Sequence, residues 1–252
     1  MRVAAIQFKA KTDRIAGLAA LVAEVRRVGA GRDLVVCPEM AVVGYAWTSL
    51  EAVRTVAEPA DGPTARAFSR AAADSGCWVV VGFAELDGER VFNSALVIDP
   101  SGTVRFVYRK TLLFEADQPW ATPGDSGYRA FDTGKGRFGV GICMDLNDDR
   151  FLDWAGRERV DVLAFPTNWT QEDSVMWDYW RHRLYTGWPA EWGVEPRVAN
   201  RARVDAVLVG ANSYGAEGAW QLRGESAILS WGRVYATAPS TGDAVITADL
   251  RA

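Results

Sequence analysis

Three side chains able to do covalent and proton-transfer chemistry follow strand-like segments. Cys143 comes directly after the apolar run 138–142, Glu39 follows the run 34–37, and Lys110 ends a run that begins at residue 103. A thiol at the end of a buried strand is held rigidly while its sulfur can face a cleft. A thiol, a carboxylate and an ammonium at the ends of separate strands can converge, which predicts one catalytic site.

The residue types predict acyl transfer. A free thiol has a pKa of about 8.5, so Cys143 needs a base or a cation at neutral pH. Glu39 could accept the thiol proton, and Lys110 could stabilise the charge that develops on a carbonyl oxygen. Each residue alone also has a structural interpretation, because a buried cysteine can be a small hydrophobe, Glu39 can cap a turn and a strand-end lysine is often solvated.

Rival chemistries have weak support. His182 is the single histidine and lies between two arginines in a charged helical segment, which favours a surface position over a Cys-His or Ser-His pair. Gly124-Asp-Ser-Gly127 is similar to a serine-protease fragment, but four common turn residues are weak evidence for one. Gly134-Lys-Gly136 lacks the spacing of a phosphate-binding loop, and no His-rich or carboxylate pair has the spacing of metal ligands. The sequence therefore predicts no cofactor and no metal.

The composition predicts an ordinary globular protein. The 252 residues are 49% hydrophobic and 24% charged, with a net charge of −4, which favours one domain over residues 1–252 and a small molecule or peptide as partner, not nucleic acid or a membrane. The three cysteines are too few and too widely spaced for a disulfide framework. The sequence has neither a secretory apolar region nor a run of about 18 apolar residues, so we expect a cytoplasmic protein.

The hydrophobic patterns alternate between helix and strand. Helical spacing covers 15–28 and 151–158, Pro63 opens a helix through residue 73, and 174–203 has a helical pattern broken by Gly and Pro. Strands are predicted at 3–8, 34–37, 78–85, 91–98, 104–108, 138–142, 160–165, 207–211, 227–229 and 234–236. This order predicts a mixed sheet, or a pair of sheets, covered by helices.

Five motifs carry a family resemblance when read in order. They are Pro38-Glu39, Tyr108-Arg-Lys-Thr-Leu-Leu-Phe114, Thr122-Pro-Gly-Asp125, Gly139-Val-Gly-Ile-Cys143 and Thr167-Asn-Trp169. The sequence resembles the nitrilase superfamily of carbon–nitrogen hydrolases. The resemblance implies an α/β fold with a four-layer αββα sandwich, no metal, and a homodimer or higher homo-oligomer.

The same resemblance assigns roles to residues. It implies Glu39 as general base, Lys110 as the cation for the oxyanion, and Cys143 as nucleophile. The backbone N–H of Met144 would be a second oxyanion donor, with Asn168 and Trp169 in the substrate-binding wall.

The chain departs from the family pattern at two places, the lysine motif with the loop behind it and position 203. Leu112 stands where many members have histidine, and Arg203 stands where many have glutamate. A supporting acid is expected after the lysine, and of Glu115 and Asp117 we favour Glu115.

Three segments around the nucleophile, the lysine loop and residues 178–184 are similar to protein N-terminal amidases, which deamidate asparagine or glutamine at a peptide's amino terminus. We therefore expect amide hydrolysis through a thioester, with release of ammonia and a carboxylic acid. Asp145, Glu172 and Asp173 could hold a substrate ammonium. Alternatives are hydrolysis of N-carbamoyl amino acids or small ω-amides, then nitrile cleavage, then a non-catalytic scaffold.

A cluster of tryptophans follows the last motif. It comprises five of the eleven tryptophans, at positions 169, 177, 180, 188 and 192. Such a cluster can line a substrate mouth, form a subunit interface or pack in the core.

Overall fold

Two six-stranded sheets dominate the computed structural model, which describes residues 1–170, 176–186 and 197–250. The strands are β1 (Arg2–Gln7), β2 (Leu34–Val36), β3 (Trp78–Asp87), β4 (Arg90–Ile98), β5 (Val104–Arg109), β6 (Ala130–Asp132), β7 (Arg137–Val140), β8 (Val162–Thr167), β9 (Val207–Asn212), β10 (Tyr214–Glu217), β11 (Trp220–Arg223), β12 (Ala227–Ser230), β13 (Arg233–Thr237) and β14 (Ala244–Asp249). The helices are α1 (Arg14–Gly29), α2 (Leu50–Arg54), α3 (Pro63–Ser75), α4 (Asp149–Arg157) and α5 (Met176–Arg181). A 3₁₀ turn covers Cys143–Asn147, and a π-helical turn covers His182–Thr186.

The two sheets share one plan. The first has the order β14-β1-β2-β3-β4-β5, with β1, β2 and β3 parallel and antiparallel strands on both sides. The second has the order β13-β12-β9-β8-β7-β6, with β7, β8 and β9 parallel and antiparallel strands on both sides. In both sheets the parallel strands are central, where they are covered on both faces.

Alternation along β1 shows how the layers form. Val3 and Ala5 face the core between the sheets, whereas Ala4 and Ile6 face the layer of α1 and α3. On the second sheet, the ring of Trp154 in α4 packs on Gly139 in β7, and Trp180 in α5 packs on Gly210 in β9. The predicted four-layer αββα sandwich is confirmed.

Local signals set the ends of the helices. The Asp13 side chain accepts a hydrogen bond from the Ala16 N–H and begins α1, and Asp148 begins α4 in the same way through Arg150. Pro63 begins α3, and Gly76 ends it with a φ of 66°. Ile15, the first residue of the helical hydrophobic pattern over 15–28, is 80% exposed.

Several elements were not predicted. These are α2, the short strand β6, the hairpin β10–β11 and β14, which pairs antiparallel with β1 along its full length. Within the described residues, no helix has the length and apolar character needed to cross a membrane.

Candidate active site

Glu39 lies three residues beyond β2, in a segment held against β3. The Gly82 N–H donates to the Pro38 carbonyl at 3.0 Å, and the Ala41 N–H donates to the Gly82 carbonyl at 3.1 Å. A Cβ atom at position 82 would lie 2.5 Å from the Pro38 oxygen and 2.6 Å from the Glu39 Cα. Glycine is therefore needed there, because the backbone that carries Glu39 occupies the space of a side chain.

Lys110 follows β5 directly and joins two carboxylates. Its Nζ lies 2.7 Å from Glu39 Oε1 and 2.6 Å from Asp117 Oδ2, and all three side chains are fully buried. This arrangement corrects the prediction that Glu115 is the supporting acid, because Glu115 is exposed. The Phe114 N–H donates to Asp117 Oδ2 at 3.0 Å, which closes a turn that directs Asp117 inward.

Asn93 completes this ion cluster, and sequence reasoning missed it. Its Nδ2 donates to Glu39 Oε1 at 2.6 Å and to Asp117 Oδ1 at 3.0 Å. The available signal was the polar pair Asn93-Ser94 in the middle of a mostly apolar strand, β4. Among the described residues, Glu39 Oε2 is buried without a hydrogen-bond partner, so one carboxylate oxygen is left for a further proton.

The cluster shifts the pKa values of its members in ways that suit proton transfer. Burial raises the pKa of Glu39, Lys110 opposes that rise, and Asp117 adds to it. Burial alone would lower the pKa of Lys110, but Asp117 and Glu39 outweigh it and hold that pKa well above its usual value. Lys110 is therefore a fixed cation, whereas Glu39 can gain or lose a proton more readily.

Cys143 is the first residue of the 3₁₀ turn after β7. Its φ of 46° is in the left-handed region, which non-glycine residues adopt rarely and at functional sites more than elsewhere. Burial raises the pKa of its thiol to about 12, Glu39 adds to the rise, and Lys110, Thr167 and the Asn168 N–H oppose it. The thiol is thus protonated at neutral pH and needs a base when it attacks.

The thiol opens on a narrow cavity. Its empty space is about 240 Å³, which includes part of the mouth that is open to solvent. Its lining residues are Phe114, Cys143, Met144, Asn168, Trp169 and Thr170. The predicted wall residues Met144, Asn168 and Trp169 therefore lie beside the thiol.

Hydrogen bonds hold this wall in place. Asn168 Nδ2 donates to the Glu39 carbonyl at 3.0 Å, which joins the wall to the segment that carries the candidate base. The Trp169 N–H donates to Asn212 Oδ1 at 2.9 Å. Met144 lies at the start of the 3₁₀ turn, where N–H groups lack partners inside the turn and can bind an oxyanion.

Comparison with known proteins places this geometry in a family. Residues 2–252 match the family model of carbon–nitrogen hydrolases. The chain belongs to the carbon–nitrogen hydrolase family.

The relatives of this chain are named for different activities. A nitrilase from Pyrococcus abyssi is 37% identical over 139 residues, which cover 55% of this chain and 53% of that protein. A protein N-terminal amidase from Saccharomyces cerevisiae is 25% identical over 172 residues, covering 57% and 38%. The chain thus spans about half or less of the length of these two relatives. A human omega-amidase is 27% identical over 208 residues, covering 77% and 68%.

Solved structures share the fold. An amidase from Nesterenkonia sp. superposes with a TM-score of 0.80 at 20% identity, over 99% of this chain and 90% of that one. A variant of that amidase, with the acetamide moiety of fluoroacetamide covalently added at the active site cysteine, superposes with a TM-score of 0.82 at 19% identity over the same shares.

Asp145, which was predicted to bind the substrate, does not line the described cavity. Its side chain is fully buried and bonded within the protein. The companion acids Glu172 and Asp173 lie outside the described residues. Among the described residues, no group of three or more His, Cys, Asp or Glu side chains is arranged to hold a metal ion.

The tryptophan cluster is partly core and partly wall. Trp169 lines the cavity, and its ring packs edge-on against the buried Trp180 at 5.8 Å between centroids. Trp177 is partly buried and donates from Nε1 to the Glu225 carbonyl. Trp188 and Trp192 lie outside the described residues. Arg203, a residue at which the chain departs from the expected pattern, forms a surface ion pair with Asp205 at 2.7 Å.

Proposed function

We propose that the protein hydrolyses small, uncharged carboxamides through a thioester on Cys143. One observation carries this proposal: the Lys110 ammonium is held between Glu39 and Asp117 and acts electrostatically on the buried Cys143 thiol, which opens on a narrow apolar cavity. A cation and a base next to a nucleophile are the groups that acyl transfer requires.

In the first half-reaction Glu39 takes the proton from Cys143 as the sulfur attacks the carbonyl carbon. Lys110 Nζ and the Met144 N–H stabilise the oxyanion that forms. The carbon–nitrogen bond then breaks, and Glu39 returns its proton to the leaving nitrogen. Ammonia departs and an acyl thioester remains on Cys143.

In the second half-reaction water attacks the thioester carbonyl while Glu39 accepts a proton from it. Collapse of this intermediate breaks the carbon–sulfur bond and restores the Cys143 thiol with that proton. The products are a carboxylic acid and ammonia, from one amide and one water. The raised pKa of Glu39 and its unpaired Oε2 suit a group that takes up and gives back a proton in each half-reaction.

The wall favours an uncharged acyl group. Apart from Cys143, its described residues contribute aromatic, thioether, amide and hydroxyl groups, and none of them is charged. Asp145, the acid expected to bind an ammonium, is instead enclosed. A variant of the Nesterenkonia amidase in which the cysteine is replaced by alanine has been solved in complex with butyramide, an uncharged amide of this size.

Amides that also carry a charged group are the next candidates. The matches to a protein N-terminal amidase and to omega-amidases favour N-terminal asparagine or glutamine, or a small ω-amide. N-carbamoyl amino acids are candidates of the same kind. Nitriles rank after them and are suggested by the similarity to the Pyrococcus nitrilase. The homodimeric assembly and the cytoplasmic location stay predictions.

A release assay for ammonia separates these substrates. The panel contains acetamide, butyramide, succinamate, N-carbamoylalanine, an asparaginyl peptide and butyronitrile, with Cys143→Ala as blank. We expect the highest kcat/KM for butyramide and no turnover in the blank. Preference for a charged amide would reject the substrate class, and full activity in Cys143→Ala would reject the thioester.

A further inference from the structure

We propose that Asp145 is a positioning residue that fixes the nucleophile Cys143 relative to the cation Lys110. This role rests on the function proposed above. Its side chain does not line the described cavity, and its carboxylate bonds to Tyr108, Thr111, Leu112 and Ile142, so it acts through the backbone segments that carry the reacting groups.

One half of the Asp145 carboxylate holds the segment after Lys110. Oδ1 accepts hydrogen bonds from the Thr111 N–H at 3.0 Å, the Thr111 hydroxyl at 2.8 Å and the Leu112 N–H at 2.9 Å. Thr111 adjoins Lys110 in sequence, so these bonds fix the backbone from which the lysine side chain extends.

The other half holds the turn that contains Cys143. Oδ2 accepts from the Ile142 N–H at 2.9 Å and from the Tyr108 hydroxyl at 2.8 Å. The Asp145 N–H donates to the Ile142 carbonyl at 2.9 Å, so the turn is closed on both sides of the nucleophile. This closure opposes relaxation of the left-handed backbone at Cys143, whose φ is 46°.

The Asp145 carboxylate links the two sheets. Tyr108 belongs to β5 in the first sheet, whereas Ile142 follows β7 in the second, and Asp145 is bonded to both. Cys143 and Lys110 thus approach from different layers of the sandwich. A fixed distance between them requires a link across the layers, and Asp145 supplies one within hydrogen-bond reach of both segments.

The donor set requires a carboxylate. Both oxygens face at least one backbone N–H, from Thr111 and Leu112 on one side and Ile142 on the other. An asparagine has one oxygen and one NH₂ group, so it would place an N–H against an N–H on one side in either orientation. Asp145→Asn should therefore release either the lysine segment or the nucleophile turn, with almost no change in volume.

The test compares Asp145→Asn with wild type in butyramide hydrolysis. We expect kcat to fall about 10²-fold, because small misplacement of reacting groups has costs of this size. We expect KM to change by less than about twofold, since no ground-state contact is lost. An unchanged kcat, or a KM raised for amino-bearing amides alone, would overturn the positioning role.

A second measurement does not depend on substrate. Alkylation of Cys143 by iodoacetamide, followed by peptide mass spectrometry, should slow about tenfold in Asp145→Asn, because a displaced Lys110 stabilises the thiolate less. An equal or faster rate would contradict the proposal. If wild type hydrolyses no amide in the panel, the proposed function fails while this measurement still reports the geometry.

Further variants supply a control and an alternative in case Asp145→Asn does not fold. Asp99→Asn is the control, because Asp99 accepts backbone N–H bonds in the β4–β5 turn far from the thiol in sequence, and we expect wild-type kcat and alkylation. If Asp145→Asn does not fold, Thr111→Val and Tyr108→Phe each remove one donor. A lower kcat at constant KM in both supports the role, and wild-type kcat in both overturns it.

Discussion

Two buried aspartates near the nucleophile have opposite surroundings. Asp117 pairs with the Lys110 ammonium at 2.6 Å in a cluster that also contains Glu39 and Asn93. Asp145 accepts five hydrogen bonds, all from neutral N–H and O–H groups. Both side chains are fully buried, so solvent exposure does not distinguish them.

The two aspartates therefore differ in role, because one affects proton transfer and the other fixes the backbone. In the ion cluster two carboxylates share one cation, and burial with Asp117 raises the pKa of Glu39, so a proton can enter and leave. Burial raises the pKa of Asp145 too, but three N–H groups and two hydroxyls satisfy its oxygens. One side-chain type thus tunes proton transfer at one position and holds the backbone at the other.

The largest expected effect breaks the ion cluster. Asp117→Asn removes a charge 2.6 Å from Lys110 Nζ. We expect kcat/KM for butyramide to fall by about 10²- to 10³-fold, because the orientation of the oxyanion cation and the proton affinity of Glu39 both change. Steady-state kinetics at pH 7.5 measure the loss, and the melting temperature shows whether the fold is retained.

Glu115→Gln is the matched control for this variant. It removes an acid two residues away that is exposed, so wild-type kcat/KM is expected. Equal losses in both variants would show that net charge in the loop, and not the contact with Lys110, is what matters.

The pH dependence of Cys143 alkylation tests how strongly the ion cluster acts on the thiol. The pKa of Cys143 is raised to about 12, so its thiolate fraction should increase about tenfold per pH unit across pH 7 to 9. The rate of Cys143 alkylation in the free protein should rise by the same factor without a plateau. Cys37 and Cys77 are fully buried and should react more slowly. A plateau with a midpoint below pH 8 would show that Lys110 outweighs burial and Glu39.

Selectivity tests whether the ion cluster and the wall are separable. Phe114 bonds to Asp117 through its N–H, yet its ring lines the cavity and packs edge-on against Trp220 at 5.0 Å between centroids. Trp220→Ala should let this ring move outward and raise kcat/KM for hexanamide relative to acetamide about tenfold. The control is Trp231→Ala, a 46% exposed tryptophan outside the described cavity wall, which should leave the ratio unchanged.

The smallest effect concerns a third aspartate, at a surface turn. Burial acts to raise the pKa of Asp99, but the hydroxyl and N–H of Ser101, the Thr103 N–H and Arg105 outweigh it and lower that pKa overall. Asp99→Asn should lower the free energy of unfolding by about 1 kcal/mol at pH 7, with little from the solvent-screened Arg105 pair.

The pH dependence of this loss has a defined sign. A lowered pKa in the folded state gives stability above the unfolded pKa of Asp, about 3.9, which is lost as pH falls through the folded value. The difference in urea unfolding between Asp99→Asn and wild type should therefore shrink below about pH 4. A difference that stays constant from pH 7 to 3 would contradict the lowered pKa.

Periodicity and strand ends predicted much of this molecule. Glu39 and Lys110 were expected to meet because each follows a strand, and they lie 2.7 Å apart. The choice between Glu115 and Asp117 depended on a turn closed by one N–H bond, which residue types alone do not specify. Asp145 was assigned to substrate because it adjoins the nucleophile in sequence, but the 3₁₀ turn directs it away from the cavity.

The missed strands share a different cause. β6 has three residues and the strands of the β10–β11 hairpin have four each, too few for a clear alternation. β14 is specified by its pairing with β1, more than 230 residues away in sequence. Long-range pairing of this kind is a tertiary effect, which local patterns do not contain. The single-domain assignment and the catalytic roles stay predictions.

Gly82 has a consequence for how this site can change over time. Even a single methyl group there would collide with the main chain that carries the proton-accepting glutamate. Position 82 therefore tolerates as few substitutions as a reacting residue would, although it does not line the described cavity. Libraries that aim at new selectivity should vary the cavity wall and leave the interior of β3 untouched.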